Sequence, residues 1–255
     1  DVDAPNLSFH FPHLSVSKKT DVFGLKKAHI DLKACLQCKE CIKHCAFDAI
    51  SEDLIVNVFA CEGCGFCHIV CNHDAISMHD QVIGSLYVKS DLIQSFSYAQ
   101  LHSGQGNSGL LVSSVKQEIT KLPLDDQEIV FFDGAPGIGC PVISSLANID
   151  LAIVITEPSL SGIHDLKRLV STIQKNDTCF CVCINKYDIN PGLTQDIIHY
   201  CQELSVPFLG CIPFDKHILE ATTHQEHKMM LDSIAGDAIK EILVKAMTLL
   251  KEETR

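Results

Sequence analysis

The sequence predicts an α/β chain, a doubly wound, mainly parallel sheet interrupted by a small α+β module built around eight cysteines. Three observations carry that expectation. Short runs that are apolar throughout alternate with stretches of helical length over the C-terminal half. Eight of the 14 cysteines fall into two matched runs nearer the N-terminus. Hydrophobic residues make up 46% of the 255 positions, enough to bury a sizeable core.

In chain order, the opening Asp1-Val2-Asp3 reads like the interior of a longer sequence. The chain is therefore expected to be truncated at its N-terminus, and the lack of a leader segment carries no information. Residues 1–27 and 83–255 are assigned to the α/β domain and 28–82 to the inserted module. Gly84–Leu122 is expected to lead back into the α/β domain through a strand and a helix. Four runs then lack polar alternation: Ile129–Phe132, Leu151–Thr156, Phe180–Ile184 and Phe208–Ile212. Strands buried on both faces of a parallel sheet read this way. Ser161–Gln174, Leu193–Leu204 and Ile234–Lys251 read as helices, and the βαβα order is that of a doubly wound domain. The last helix carries an apolar stripe of Ile239, Ile242, Leu243, Met247 and Leu250. Asp237, Glu241, Glu252 and Glu253 balance its lysines, which favours packing on the sheet over a membrane surface.

Cys35-x2-Cys38-x2-Cys41-x3-Cys45 recurs as Cys61-x2-Cys64-x2-Cys67-x3-Cys71, every cysteine displaced by 26 positions. Asp48-Ala49-Ile50-Ser51 recurs as Asp74-Ala75-Ile76-Ser77 at the same offset, so the unit from Ala28 to Val82 is duplicated. Three cysteines at this spacing wrap the chain around one cuboidal iron–sulfur cluster, and the fourth of each run serves the other cluster. On that rule Cys35, Cys38, Cys41 and Cys71 hold one [4Fe–4S] cluster. Cys61, Cys64, Cys67 and Cys45 hold the second, which makes the segment a bacterial-type ferredoxin module. Zinc ribbons use separated cysteine pairs, and a disulfide framework leaves the period unexplained. The proline that commonly follows the fourth cysteine is absent, with Ala46 and Asn72 in its place. Gly63 and Gly65 allow close backbone approach in the second run where Gln37 and Lys39 stand in the first. The two clusters are thus expected to differ in hydrogen bonding and potential. Clustered thiolates imply a reducing compartment, the cytoplasm. The remaining cysteines, including Cys179, Cys181 and Cys183 on one face of a strand, are read as small buried hydrophobes, with Cys140 set apart as the exception.

In the second half, Ile129–Phe132 followed by Asp133-Gly134-Ala135-Pro136-Gly137 reads as a strand ending in an acid and a turn. An Asp there faces the crevice where α/β sheets bind ligands and suits a water-bridged Mg²⁺; a cap for the helix near Pro141 is the plainer alternative. Thr156-Glu157-Pro158, Asn185-Lys186-Tyr187-Asp188 and Ile212-Pro213-Phe214-Asp215 each stand where a strand gives out.

Together these residues resemble the MinD/ParA/Mrp class of phosphate-loop ATPases, in particular MinD-like ATPases with an inserted ferredoxin domain. The resemblance runs over almost the whole chain. It implies a P-loop NTPase-like fold whose first strand and phosphate loop, with the Walker A lysine, lie upstream of Asp1 and are missing. It also implies that Asp1 orients Mg²⁺ and the attacking water and that Asp133 is the Walker B acid. Gly134 to Gly137 match the switch loop, Asn185 the adenine-contacting Asn, and Pro213 the loop that covers the base. Gly139-Cys140-Pro141-Val142 and Asn107-Ser108-Gly109 are also similar to family segments. The glycine-rich Ser103–Gly109 does not substitute for the phosphate loop, since Leu110 and Leu111 follow where a Lys is needed.

The resemblance further implies that the full-length protein binds and hydrolyses ATP with Mg²⁺, as a homodimer when ATP-bound, and that this fragment alone is inactive. The expected function is electron transfer through two [4Fe–4S] clusters to or from a redox partner protein, coupled to ATP in the full-length protein. An ATP-independent electron carrier and an Fe–S assembly or delivery scaffold are the alternatives. A net charge of −12, with no basic block, argues against nucleic acid and anionic membrane surfaces. No apolar stretch approaches the roughly 20 residues that stable insertion in a bilayer needs.

Overall fold

The computed structural model describes residues 2–91, 94–121, 129–224 and 231–253, and the chain divides into two compact units, Asp1–Phe131 and Phe132–Arg255. Residues 1–27, 28–82 and 83–131 thus share the first unit. It begins with β1 (Val16–Phe23) and β2 (Lys27–Ile30). The single helical turns α1 (Glu40–Lys43) and α2 (Phe66–Ile69) follow, then β3 (Ile76–His79), β4 (Val82–Ser90), β5 (Ser95–Leu101) and α3 (Ser108–Thr120).

Strands β1, β4 and β5 form an antiparallel sheet in the order β1-β4-β5. Leu86 and Ala99 on one face pack with Leu111 and Val112 of α3 and with Val2. The other face carries a row of stacked aromatic rings. Phe11 stacks on Phe96 at 4.5 Å, Phe96 on Tyr98 at 5.4 Å and Tyr98 on Tyr87 at 4.9 Å, with the Lys19 and Lys89 ammonium groups over the tyrosine rings. Tyr87 and Tyr98 stand directly opposite on β4 and β5, and such a cross-strand pair stabilises a sheet by about 0.2–1 kcal/mol.

Strands β2 and β3 form a separate antiparallel pair, from Lys27 opposite His79 to Ile30 opposite Ile76. An isolated bridge joins Ile50 to Val56. Shifting the Ile30–Ile76 pair by the 26-residue period, forward for one strand and back for the other, gives that bridge. The duplication therefore folds with pseudo-two-fold symmetry, and its core holds Ala28, Ile30, Ala49, Ile50, Leu54 and Ile76.

The second unit carries α4 (Cys140–Leu146), β6 (Ala152–Thr156), α5 (Leu160–Lys175), β7 (Phe180–Asn185) and α6 (Pro191–Glu203). After these come β8 (Phe208–Ile212), α7 (Lys216–His224) and α8 (Ile234–Glu253). The sheet is parallel, in the order β6-β7-β8, as the apolar runs predict. On one face Val154, Val182 and Ile184 pack with Leu146 of α4, Leu166, Val170 and Ile173 of α5, and Ile197 and Cys201 of α6. On the other, Cys181, Cys183 and Leu209 pack with Ile242 and Ala246 of α8. Caps fix the helix starts. Ser159 Oγ accepts from Gly162 N at 2.9 Å, and Asn190 Oδ1 from Leu193 N at 3.1 Å ahead of Pro191 in the first turn.

Two expectations need correction. Ile129–Phe132 is not a strand: it is irregular, and Ile129 and Phe131 are exposed. An apolar run takes up ladder geometry only beside a partner, and no described strand pairs with it. Cys179 is exposed ahead of β7, unlike the fully buried Cys181 and Cys183. Burial pushes the Cys181 thiol up to about 12 and that of Cys183 to about 11. Native protein treated with iodoacetamide at about pH 8 should therefore be alkylated at Cys179 and Cys140 but not at Cys181 or Cys183. Peptide mass mapping checks this, with all four modified once urea has unfolded the chain.

Candidate functional site

The cysteine runs repeat down to their backbone dihedrals. Gln37 and Gly63 have φ of 56° and 67°, Lys39 and Gly65 of 62° and 74°, and Asp48 and Asp74 of 48° and 51°. The first two pairs turn the chain between successive cysteines, the third turns it after each run, and α1 and α2 start directly after Lys39 and Gly65. A Cβ on Gly63 would collide with the Lys26 carbonyl oxygen and lie 3.1 Å from Leu25 Cβ, whereas one on Gly65 would meet nothing. Close approach thus demands glycine at Gly63, whereas at Gly65 only the dihedral favours it, a dihedral that Lys39 adopts at the matching position.

The fold gathers the eight cysteines into two sets. Cys35, Cys38, Cys41 and Cys71 line one cavity, walled by Ile30, Leu36, Ala75 and Ile76 and rimmed by Lys39, Glu40 and His73. Cys45, Cys61, Cys64 and Cys67 line a second, walled by Ala28, Ala49, Ile50 and Met78 and rimmed by His44 and Glu62. Each run sends its fourth cysteine into the cavity of the other. Backbone N–H groups already point at sulfur: Gln37 N donates to Cys35 Sγ at 3.3 Å and Ala49 N to Cys45 Sγ at 3.4 Å. Burial pushes the Cys41 and Cys67 thiols up. Cys35 and Cys38 add to this at Cys41, as do Cys61, Cys64 and Cys45 at Cys67. Thiolates crowded in apolar walls need a cationic group among them.

Among the described residues no three His, Cys, Asp or Glu side chains converge tightly enough to hold a single metal ion. Four sulfurs around one zinc, each at 2.3 Å, would sit roughly 3.8 Å apart. Sulfurs that each take a different iron of a cuboidal cluster stand wider. Two four-thiol cavities with apolar walls and N–H donors to sulfur could hold two such clusters.

The second unit brings another set of polar residues to the carboxyl edge of its sheet. Glu157 follows β6, Asn185 ends β7 and Pro213 follows β8. Glu157 Oε1 accepts from Asn185 Nδ2 at 3.4 Å and pairs with Lys186 Nζ at 2.6 Å. Asp188 Oδ1 accepts from Phe214 N at 2.7 Å, tying the loop after β7 to the loop after β8. Asp215, its side chain 8% exposed, accepts from His217 N and Nδ1 and from Ala235 N. These donors hold its carboxyl below the ordinary value. Asn185 and Pro213 are therefore neighbours on one edge. Asp133 and Gly137, the latter with φ of 89°, lie exposed on the irregular segment before α4, and Asp1 lies outside the described residues. The sequence marks Glu157 only as the end of a strand. Its role in orienting both Asn185 and Lys186 emerges once β6 and β7 lie side by side.

No family model matches the chain. It is 30% identical over 250 residues to the uncharacterized protein MJ0578 of Methanocaldococcus jannaschii, covering 96% of this chain and 83% of that protein. It is 27% identical over 131 residues to the uncharacterized ATP-binding protein MJ0547 of the same organism, covering 51% of this chain and 50% of the relative. The septum site-determining protein MinD of Bacillus subtilis is 26% identical over 121 residues, covering 46% of this chain and 42% of that protein.

Proposed function

The chain belongs to the family of the M. jannaschii protein MJ0578, within the MinD/ParA-like P-loop ATPases, and on that premise we propose that it carries two [4Fe–4S] clusters for one-electron transfer. The observation that carries the proposal is the pair of crossed cavities, each lined by three cysteines of one run and the fourth of the other. Cys35, Cys38, Cys41 and Cys71 would hold one cluster and Cys45, Cys61, Cys64 and Cys67 the other. The clusters supply reversible one-electron chemistry when bound. The chain's own contribution is to exclude water with Ile30, Ile50, Ile76 and Met78, and to donate backbone N–H to sulfur at Cys35 and Cys45.

The same proposal has residues 28–82 as a ferredoxin-type insert in an ATPase domain formed by 1–27 and 83–255. Asn185, held by Glu157, and Pro213, whose loop Asp188 ties to the loop after β7, suit the base of a nucleotide. Asp1, Asp133 and Gly137 would serve Mg²⁺ and the phosphates in the full-length protein, which would close as a homodimer on ATP and so change how the clusters meet a redox partner. Thiolate-held clusters require a reducing compartment, hence a cytoplasmic location. Among the described residues no helix is long and apolar enough to cross a membrane.

Anaerobic iron and sulfide quantitation with EPR of the reduced protein tests the first part. About eight irons per chain and a spin-coupled signal are expected. Zinc, or about four irons alone, would overturn the two-cluster reading. For the second part, the full-length protein should bind ATP and its redox titration should differ with and without nucleotide; superimposable titrations count against coupling.

A further inference from the structure

The duplication that makes the two cavities alike inverts the charge beside them. In the register fixed by Ile30–Ile76 and Ile50–Val56, Lys26-Lys27 correspond to Glu52-Asp53. Each pair borders one cysteine run. Glu52 Oε2 takes Lys39 Nζ of the first run at 2.6 Å. At the second run the Lys26 carbonyl lies against Gly63, and Lys27 Nζ donates to the Cys61 carbonyl oxygen.

Lys27 differs from the other lysines of the module. It is half-buried, and among the described residues no carboxylate pairs with it. Lys39 and Lys43 are paired with Glu52 and Glu40, and Lys26 with Asp80, all with exposed side chains where solvent screens them. The charged side chains that line the cavities themselves, Glu62 at the second and Lys39 and Glu40 at the first, are exposed and screened in the same way. A fixed cation sheltered from water beside one redox centre stabilises the electron added there far more than a screened one does.

We propose that Lys27 sets the two clusters apart in potential, raising that of the cluster held by Cys45, Cys61, Cys64 and Cys67 above that of its twin. The inference rests on the cluster reading and adds to it an order between the two centres that the near-identical ligand spacing does not impose.

The test is an EPR-monitored anaerobic redox titration with iron counted on every sample. Lys27→Gln keeps a donor for the Cys61 carbonyl but removes the charge, and Lys27→Arg keeps both. Lys27→Gln should lower the higher of the two midpoint potentials and leave the lower one in place, while Lys27→Arg titrates like the parent. Asp53→Asn, at the position matching Lys27 but with an exposed side chain, should leave both potentials in place. A fully loaded Lys27→Gln protein with both potentials unmoved, or both moved equally, overturns the inference with the cluster reading intact. Should Lys27→Gln fail to load, two equal midpoint potentials in the parent protein overturn it instead. Parent protein without iron would overturn the cluster reading itself.

Discussion

Cys45→Ala, a change in the first cysteine run, should empty the cavity of the second. Cys45 faces Cys61, Cys64 and Cys67, and its sulfur takes a bond from Ala49 N on the far side of the bend. Removing it leaves three thiols in that cavity and all four in the other, since Cys35, Cys38 and Cys41 are completed by Cys71. Anaerobic iron analysis should find roughly four irons in place of about eight, and the EPR signal should lose its spin coupling. Cys71→Ala should give the same stoichiometry with the first cavity emptied. If each substitution instead emptied the cavity of its own run, the crossed grouping would be wrong.

Gly63→Ala should be the most damaging single methyl group that can be added to the module. At φ of 67° any side chain costs about 1–2 kcal/mol, and here the new Cβ also collides with the Lys26 carbonyl oxygen. Backbone must move, and the expected loss exceeds about 2 kcal/mol. Gly65→Ala is the matched comparison, with a similar φ of 74° and open space around its Cβ, so its loss should stay near 1 kcal/mol. Anaerobic urea unfolding of the loaded protein measures both, and equal losses would dismiss the close-approach argument.

Both experiments draw on features that were legible in the sequence to different depths. The two cysteine sets that line the cavities are the sets the spacing pairs, because the information is local and repeated. Strands β6, β7 and β8 and helices α5, α6 and α8 begin and end within a few residues of their apolar patterns for the same reason. Ile129–Phe132 has the same local pattern and no ladder, because pairing depends on a neighbour that the run itself cannot specify. β1 escaped notice because it is exposed on nearly every residue, and β5 because its aromatic side chains find their partners on β4. The pairing of Glu157 with Lys186 was beyond reach on similar grounds, since those residues meet only across adjacent strands. That Gly63 and Gly65 differ in what they demand could not be read from two glycines in matching positions. It needed the path of Leu25 and Lys26.

The way the cysteine module is spliced into its sheet bears on how the first unit can fold in time. Strands β1 and β4 pair from Val16 to Phe23 across everything that lies between them. Zipping two strands over so long an intervening segment normally waits for a slow search, because distant contacts must be closed before they reward the chain. Here the segment delivers its own ends together. Lys27 stands opposite His79 where β2 and β3 meet, only a few residues from Phe23 opposite Val82. Once the module has formed, its two exits leave as neighbouring antiparallel strands, and β1 meets β4 much as the arms of a hairpin meet beyond their turn. The segment between β1 and β4 thereby shortens the loop that their pairing must close.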